Sequence, residues 1–226
     1  MKTKLCLPII KKTKEEVLQT IEKNKKLFDM FEVWIDYVKD IDNTFTEKLS
    51  KKMKGKLIFV FRRKDGKNIH MKFSERKKIF EIVDTNTYVD LDMTKQKEDI
   101  SFLADKQTNT IISFHDYKKT PSAKKMIELI TEMKKHNPEI IKIATFCNER
   151  SDAERLMELL DFLQHKKTKS IVIGMGNLGV KTRIDGALRG NTITFVSLDE
   201  KDKIAPGQLT RQKFLHEMEK KENYAR

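Results

Sequence analysis

Lys142 stands apart from the other members of a set of 47 lysines and arginines. It sits inside Ile140-Ile141-Lys142-Ile143-Ala144-Thr145, an apolar, β-branched run that reads as a strand buried on both faces. Burial disfavours an ammonium ion and lowers its pKa, and that is how an amine becomes a nucleophile near neutral pH. The plainer alternative is a lysine that leans inward and snorkels to solvent or pairs with an acid.

Other residues of chemical interest fall near the ends of similar runs. Glu32, Trp34 and Asp36 lie toward the end of one run, Arg62, Arg63 and Asp65 follow another, and Asp90 and Asp92 belong to a third. A fourth supplies Ser113 and, just past its end, His115. The run at 170–173 supplies Met175 and Arg183 through a loop bearing Gly174, Gly176 and Gly179, and Ala205-Pro206-Gly207-Gln208 comes last. An amine, an imidazole and several guanidiniums at strand ends suit carbonyl chemistry on an anionic substrate. Taken singly, His115 reads equally well as the cap of a loop, and Arg62-Arg63-Lys64 as a basic surface turn.

The elements that must position these groups alternate in type. Apolar or alternating runs at 5–10, 30–37, 57–61, 88–93, 110–114, 140–146, 170–173 and 193–196 read as eight strands. Between them lie amphipathic stretches with helical spacing, such as Val17, Leu18 and Ile21 after the cap residue Thr13, or Leu156, Met157, Leu160 and Leu163. Loops containing His115 and Pro121, and Gly174 and Met175, are expected after the fifth and seventh strands. Eight strands alternating with helices predict an α/β fold, a (β/α)8 TIM barrel, with residues 1–226 as a single domain. A doubly wound open sheet is the structural alternative, but no GxGxxG follows the first strand.

Composition narrows the class. No apolar run reaches the length of a membrane span, and Met1-Lys2-Thr3-Lys4 leads straight into a strand with no signal peptide, so no membrane association is expected. Cys6 and Cys147 form no disulfide framework, and five scattered histidines form no HxH or HExxH cluster. A reducing, cytoplasmic setting and no metal site follow as expectations. The net charge of +13 is spread over the whole chain and interleaved with acids. It favours attraction of a small anion over nucleic-acid binding, and no nucleic-acid partner is expected.

In its motifs the chain resembles the type I 3-dehydroquinate dehydratases, over nearly its whole length. Glu32-Val33-Trp34-Ile35-Asp36 matches the family's Glu-x-Arg-x-Asp, and Phe59-Val60-Phe61-Arg62 its Phe-Thr-Phe-Arg. Ser113-Phe114-His115-Asp116-Tyr117 with Thr120-Pro121 matches Ser-x-His-Asp-Phe followed by Thr-Pro. Ile141-Lys142-Ile143-Ala144 matches the lysine strand. Met175-Gly176, Gly179 and Thr182-Arg183 match Met-(Ala/Gly)-x-x-Gly-x-x-Ser-Arg, and Ala205-Pro206-Gly207-Gln208 matches Ala-Pro-Gly-Gln. Six such motifs in order are far more specific than any one.

The resemblance implies a cofactor-free hydro-lyase of the shikimate pathway, a homodimer acting on 3-dehydroquinate. Lys142 would form the Schiff base and His115 serve as general acid and base. Arg183 would hold the substrate carboxylate, while Arg62 and Glu32 would bind ring hydroxyls. Met175 would line the site and Gln208 close it.

Three positions depart from the family pattern. Trp34 replaces an arginine, and its indole can pack and donate one hydrogen bond but cannot act as a guanidinium fork. Ile204 stands where serine is common, and Asp92 where glutamate is. Arg62, Arg63 or a nearby lysine is expected to make up the missing charge. These departures keep a second reading open, a Schiff-base lyase or aldolase acting on another keto acid. A non-catalytic protein drawn to nucleic acid by charge is the reading from another class, and it predicts salt-sensitive retention on DNA.

Overall fold

The computed structural model describes residues 3–61, 69–104 and 106–224. In chain order it contains β1 (Lys4–Ile9), α1 (Lys14–Asn24), β2 (Met30–Trp34), α2 (Asn43–Lys52), β3 (Leu57–Val60) and α3 (Phe73–Ile82). It continues with β4 (Tyr88–Asp92), α4 (Lys97–Leu103), β5 (Asn109–Asp116), α5 (Ala123–Lys134), β6 (Ile140–Phe146) and α6 (Arg150–His165). The last elements are β7 (Ser170–Met175), α7 (Val180–Leu188), β8 (Ile193–Phe195) and α8 (Arg211–Tyr224). The sheet order is β7-β6-β5-β4-β3-β2-β1-β8. The first strand pairs in parallel with the last, Leu5 opposite Thr194. Parallel strands each returned through a helix, with β8 beside β1, have the connectivity of a (β/α)8 barrel.

Three strand ends differ from the sequence expectation by more than one residue. β5 runs on to Asp116, so His115 lies in the strand and not in the loop after it. β7 runs on to Met175, which puts Gly174 and Met175 in the strand as well. Polar or small residues at the carboxyl end of a parallel strand look like a loop when read alone, yet the ladder continues through them. β2 is shorter than expected and gives way after Trp34 to a 3-10 turn over Ile35–Tyr37.

The chain falls into two compact units. One comprises Pro8–Ser113 and Ile130–Glu139. Its strands β2 and β3 are buried along their full length, as expected where both faces are covered. A cluster of rings packs there, with Phe61 and Phe80 edge-to-face at 5.0 Å between centroids. Two of its helices start at side-chain caps. Thr13 and Glu16 form a reciprocal capping box at α1, and the Asp42 carboxylate accepts Phe45 N–H at α2.

The other unit comprises Met1–Leu7, Phe114–Leu129 and Ile140–Arg226. The core under α6 is built from Leu156, Leu160 and Leu163, all fully buried at helical spacing. β6 and β7 pair from Ile141–Ser170 to Phe146–Met175. Because alternate residues share a face, Lys142, Ala144, Phe146, Ile171, Ile173 and Met175 all point to one side.

Candidate active site

Lys142 is buried, with 5% of its surface exposed, in the middle of β6. Its Nζ lies 4.3 Å from the centroid of the Phe195 ring on β8. That contact orients the amine over an aromatic face. The expected alternative, a lysine that snorkels to solvent, does not describe this side chain. Phe195 was not legible as a site residue. It is simply one aromatic of an apolar strand, and only the tertiary fold sets it against Lys142.

His115 is half-buried on β5, the neighbour of β6 in the sheet order. Its ring stacks with Tyr117, with centroids 6.2 Å apart and planes inclined by 16°. A strand residue is held more firmly than a loop residue, so the imidazole is aimed by the β5 backbone.

Arg183, in the first turns of α7, is 4% exposed. Its Nη2 donates to the Pro206 carbonyl at 3.3 Å, and its Nε has no partner. Among the described residues no carboxylate pairs with it. Burial alone pushes its pKa down to about 10, so it still carries its charge at neutral pH. A buried guanidinium without a counter-charge is costly unless an anion comes to it.

Gln208 is almost fully buried, and its Oε1 accepts Ile204 N–H at 2.7 Å while Nε2 is left without a partner. The side chain thus ties its own turn together and leaves one amide donor over. Four buried side-chain polar atoms among the described residues lack a partner, and two of them, Arg183 Nε and Gln208 Nε2, belong to this group. The turn is fixed further by Gly176 N–H donating to Pro206 O at 3.2 Å. Gly176 (φ 78°) and Gly207 (φ 72°) both have left-handed backbone, and a Cβ on Gly207 would lie 2.5 Å from Gly176 O. The close approach therefore requires glycine. Met175 is buried on the same face as Lys142, and Ile204 is half-buried at the start of the turn.

The other unit holds a second polar group, on one face of its strands. The registers Glu32–Ile58, Trp34–Val60, Val60–Asp90 and Asp92–Ser113 put Glu32, Trp34, Asp90, Asp92 and Ser113 on a common side. Trp34 Nε1 donates to Glu32 Oε2 at 2.8 Å, both residues being buried. The indole spends its single donor on the carboxylate two residues earlier. Ser113 donates to Asp90 at 2.6 Å. Asp92 accepts the backbone and hydroxyl of Thr94, so this carboxylate caps the turn after β4. Asp36 accepts His70 N–H and Met71 N–H and has an anchoring part. Arg62, Arg63 and Asp65 lie outside the described residues. Cys147 is buried, and burial pushes its thiol pKa up, which disfavours the thiolate. Among the described residues no group of His, Cys, Asp and Glu has the arrangement of a metal site, and no helix is long and apolar enough to cross a membrane.

A buried amine on a strand, an imidazole on the next strand, and a buried guanidinium with no carboxylate partner among the described residues suit the activation of a carbonyl in an anionic compound. Comparison with known proteins agrees. The family described as type I 3-dehydroquinase matches residues 5–219. The 3-dehydroquinate dehydratase of Methanocaldococcus jannaschii is 31% identical over 213 residues, 91% of this chain and 93% of the relative. That of Coxiella burnetii is 28% identical, over 91% of this chain and 88% of the relative. Among solved structures, 3-dehydroquinate dehydratase from Geobacillus kaustophilus superposes with a TM-score of 0.82 at 19% identity, covering 100% of this chain and 93% of that one. The type I enzyme from Clostridium difficile gives 0.79 at 22% identity, covering 96% and 91%. With a match along nearly its whole length, the chain belongs to the type I 3-dehydroquinase family.

Proposed function

We propose that the protein is a type I 3-dehydroquinate dehydratase, which converts 3-dehydroquinate to 3-dehydroshikimate through a Schiff base on Lys142, with residues 1–226 as one catalytic domain. The observation that carries the reading is Arg183, a buried cation with no counter-charge among the described residues, in the same unit as Lys142 and His115. Such a group is stabilised when a carboxylate arrives, and the substrate has one.

The amine of Lys142 attacks the C3 ketone, and loss of water gives an iminium. This cationic electron sink acidifies the C2 proton, which His115 accepts. The C2–H electrons pass into the iminium to form an enamine. They then return to expel the C1 hydroxyl, which takes a proton from His115 and leaves as water. Hydrolysis of the conjugated iminium consumes one water and frees both Lys142 and product, so the net change is loss of one water. Arg183 holds the carboxylate throughout. Gln208 Nε2 donates to a substrate oxygen, and Met175 supplies an apolar wall beside the amine. Glu32, oriented by Trp34, and Arg62 bind ring hydroxyls.

Family membership and the motif order support this reading of the residues. No separate cofactor enters any step. The same reading makes the protein a cytoplasmic homodimer with no nucleic-acid partner, and a monomer mass in light scattering would overturn the dimer part. The central test is borohydride reduction during turnover of 3-dehydroquinate, followed by peptide mapping. The expected result is a mass adduct on Lys142 and its absence in Lys142→Ala, together with loss of turnover by roughly a thousand-fold or more. No adduct and no enone absorbance would sink the reading. Adducts with other keto acids only would favour a different lyase.

A further inference from the structure

The residue before Arg183 has a place that its motif does not explain. Thr182 is 1% exposed. Its hydroxyl accepts Gly174 N–H at 2.7 Å and donates to Gly179 O at 2.6 Å. One oxygen thus joins the carboxyl end of β7 to the entry of α7. The backbones meet closely at this joint. A Cβ on Gly179 would lie 2.3 Å from Gly174 C, and one on Gly174 would lie 2.8 Å from Gly179 Cα. With no side chain between Gly174 and Gly179, the hydroxyl is the side-chain polar contact across the joint, beside the Gly179 N–H bond to Gly176 O at 3.1 Å.

Arg183 follows directly in the same helical turn. Its guanidinium has one partner, Pro206 O, at the long end of hydrogen-bond distances. The fork therefore has little of its own to correct its aim, and a shift of the α7 entry passes straight to it. On the other side, β7 carries Met175 and Gly176 follows it, and Gly176 N–H also donates to Pro206 O. The Thr182 hydroxyl thus stands where strand, helix and terminal turn are brought into one geometry around Arg183.

We infer that Thr182 is a positioning residue for anion recognition: its hydroxyl fixes the α7 entry on β7 and so sets the Arg183 guanidinium for the substrate carboxylate. This rests on the assignment of Arg183 made under the proposed function. Thr182 itself touches no substrate. Removing the hydroxyl leaves the buried Gly174 N–H without an acceptor, and the two segments move apart or admit water.

The test compares Thr182→Val, which keeps shape and loses the hydroxyl, with Thr182→Ser, which keeps the hydroxyl. Thr182→Val is expected to raise KM for 3-dehydroquinate roughly ten-fold with kcat changed by less than about three-fold, since a misplaced holding group costs affinity first. Thr182→Ser is expected within about two-fold of the parent on both constants. Borohydride labelling of Lys142 in Thr182→Val should need a correspondingly higher substrate concentration and reach the same final extent. An unchanged KM in Thr182→Val overturns the inference. So does Thr182→Ser impaired as badly as Thr182→Val, because volume and not the hydroxyl would then matter. If Thr182→Val does not fold, Thr182→Ala read against Thr182→Ser decides by the same KM criterion. A parent protein that neither turns over 3-dehydroquinate nor labels on Lys142 sinks the proposed function. An active parent with an unaltered Thr182→Val sinks this inference alone.

Discussion

Two buried arginines, one in each compact unit, are treated in opposite ways. Arg76 on α3 is 8% exposed and fully engaged. Its Nε lies 2.9 and 3.0 Å from the two oxygens of Asp99, and its Nη2 2.9 Å from one of them. Asp99 also accepts Gln96 Nε2, and Gln96 Oε1 accepts Asp92 N–H. Every charge in that group meets a counter-charge or a dipole. Arg183 is more buried, yet it meets one carbonyl and no carboxylate among the described residues. A buried ion pair is self-sufficient and holds helices together, whereas a buried single charge is incomplete until a ligand completes it.

The comparison can be broken by substitution at each arginine. The largest effect is expected at Arg76. Arg76→Ala leaves the Asp99 carboxylate buried and unpaired, which costs roughly 3–5 kcal/mol of stability, read as a shift in the urea midpoint. Activity per folded molecule should stay near that of the parent. Replacing both partners, as Arg76→Met with Asp99→Leu, should recover most of the loss. If Arg76→Ala melts like the parent, the pair is not structural and the contrast fails.

Arg183→Met should behave the other way round. It removes a lone buried charge, so its melting temperature should be no lower than the parent's. Catalytic efficiency should fall about a hundred-fold, roughly 2.7 kcal/mol, largely through KM. A large loss of stability with unchanged KM would make Arg183 a second Arg76.

The smallest effect sharpens the comparison within the unit that holds Lys142. Asp152, near the start of α6, is a completed charge of the Arg76 kind. Burial pushes its pKa up, but the Asn148 and Glu149 N–H groups and Arg155 outweigh that, so the carboxyl titrates below its ordinary value. Its folded pKa lies below the unfolded one, so its contribution is present above about pH 4 and is lost as pH falls through the lowered value. Asp152→Asn should cost about 1 kcal/mol at neutral pH and show a shallower loss of stability than the parent between about pH 5 and 3. Equal acid slopes in the two proteins would remove Asp152 from the account.

Much of the fold and of the candidate site is legible in the amino-acid sequence. The eight strands show as apolar runs because a parallel sheet covered on both faces admits little else, and that same rule makes Lys142 conspicuous. Strand ends are less legible. Ser113-Phe114-His115-Asp116 has the polarity of a loop but lies within β5, its Ser113 hydroxyl bonded to Asp90 and its Asp116 carboxylate to the N–H groups of the following turn. The Trp34–Glu32 bond needs only residues two apart on one strand, so its possibility is visible while its existence is not. The Arg76–Asp99 pair has no sequence signal at all, being two charges on separate helices in a chain crowded with charges.

The sequence by itself determined the alternation of strand and helix and the burial of Lys142, and it named candidate residues for carbonyl chemistry. These follow from local periodicity and residue type, which need no knowledge of neighbours. The tertiary structure alone decided which buried charges meet a counter-charge within the described residues and which do not. Whether Arg76 meets Asp99, or Arg183 meets only Pro206, depends on distances between segments far apart in the chain, and electrostatic cost is set by those distances and by burial.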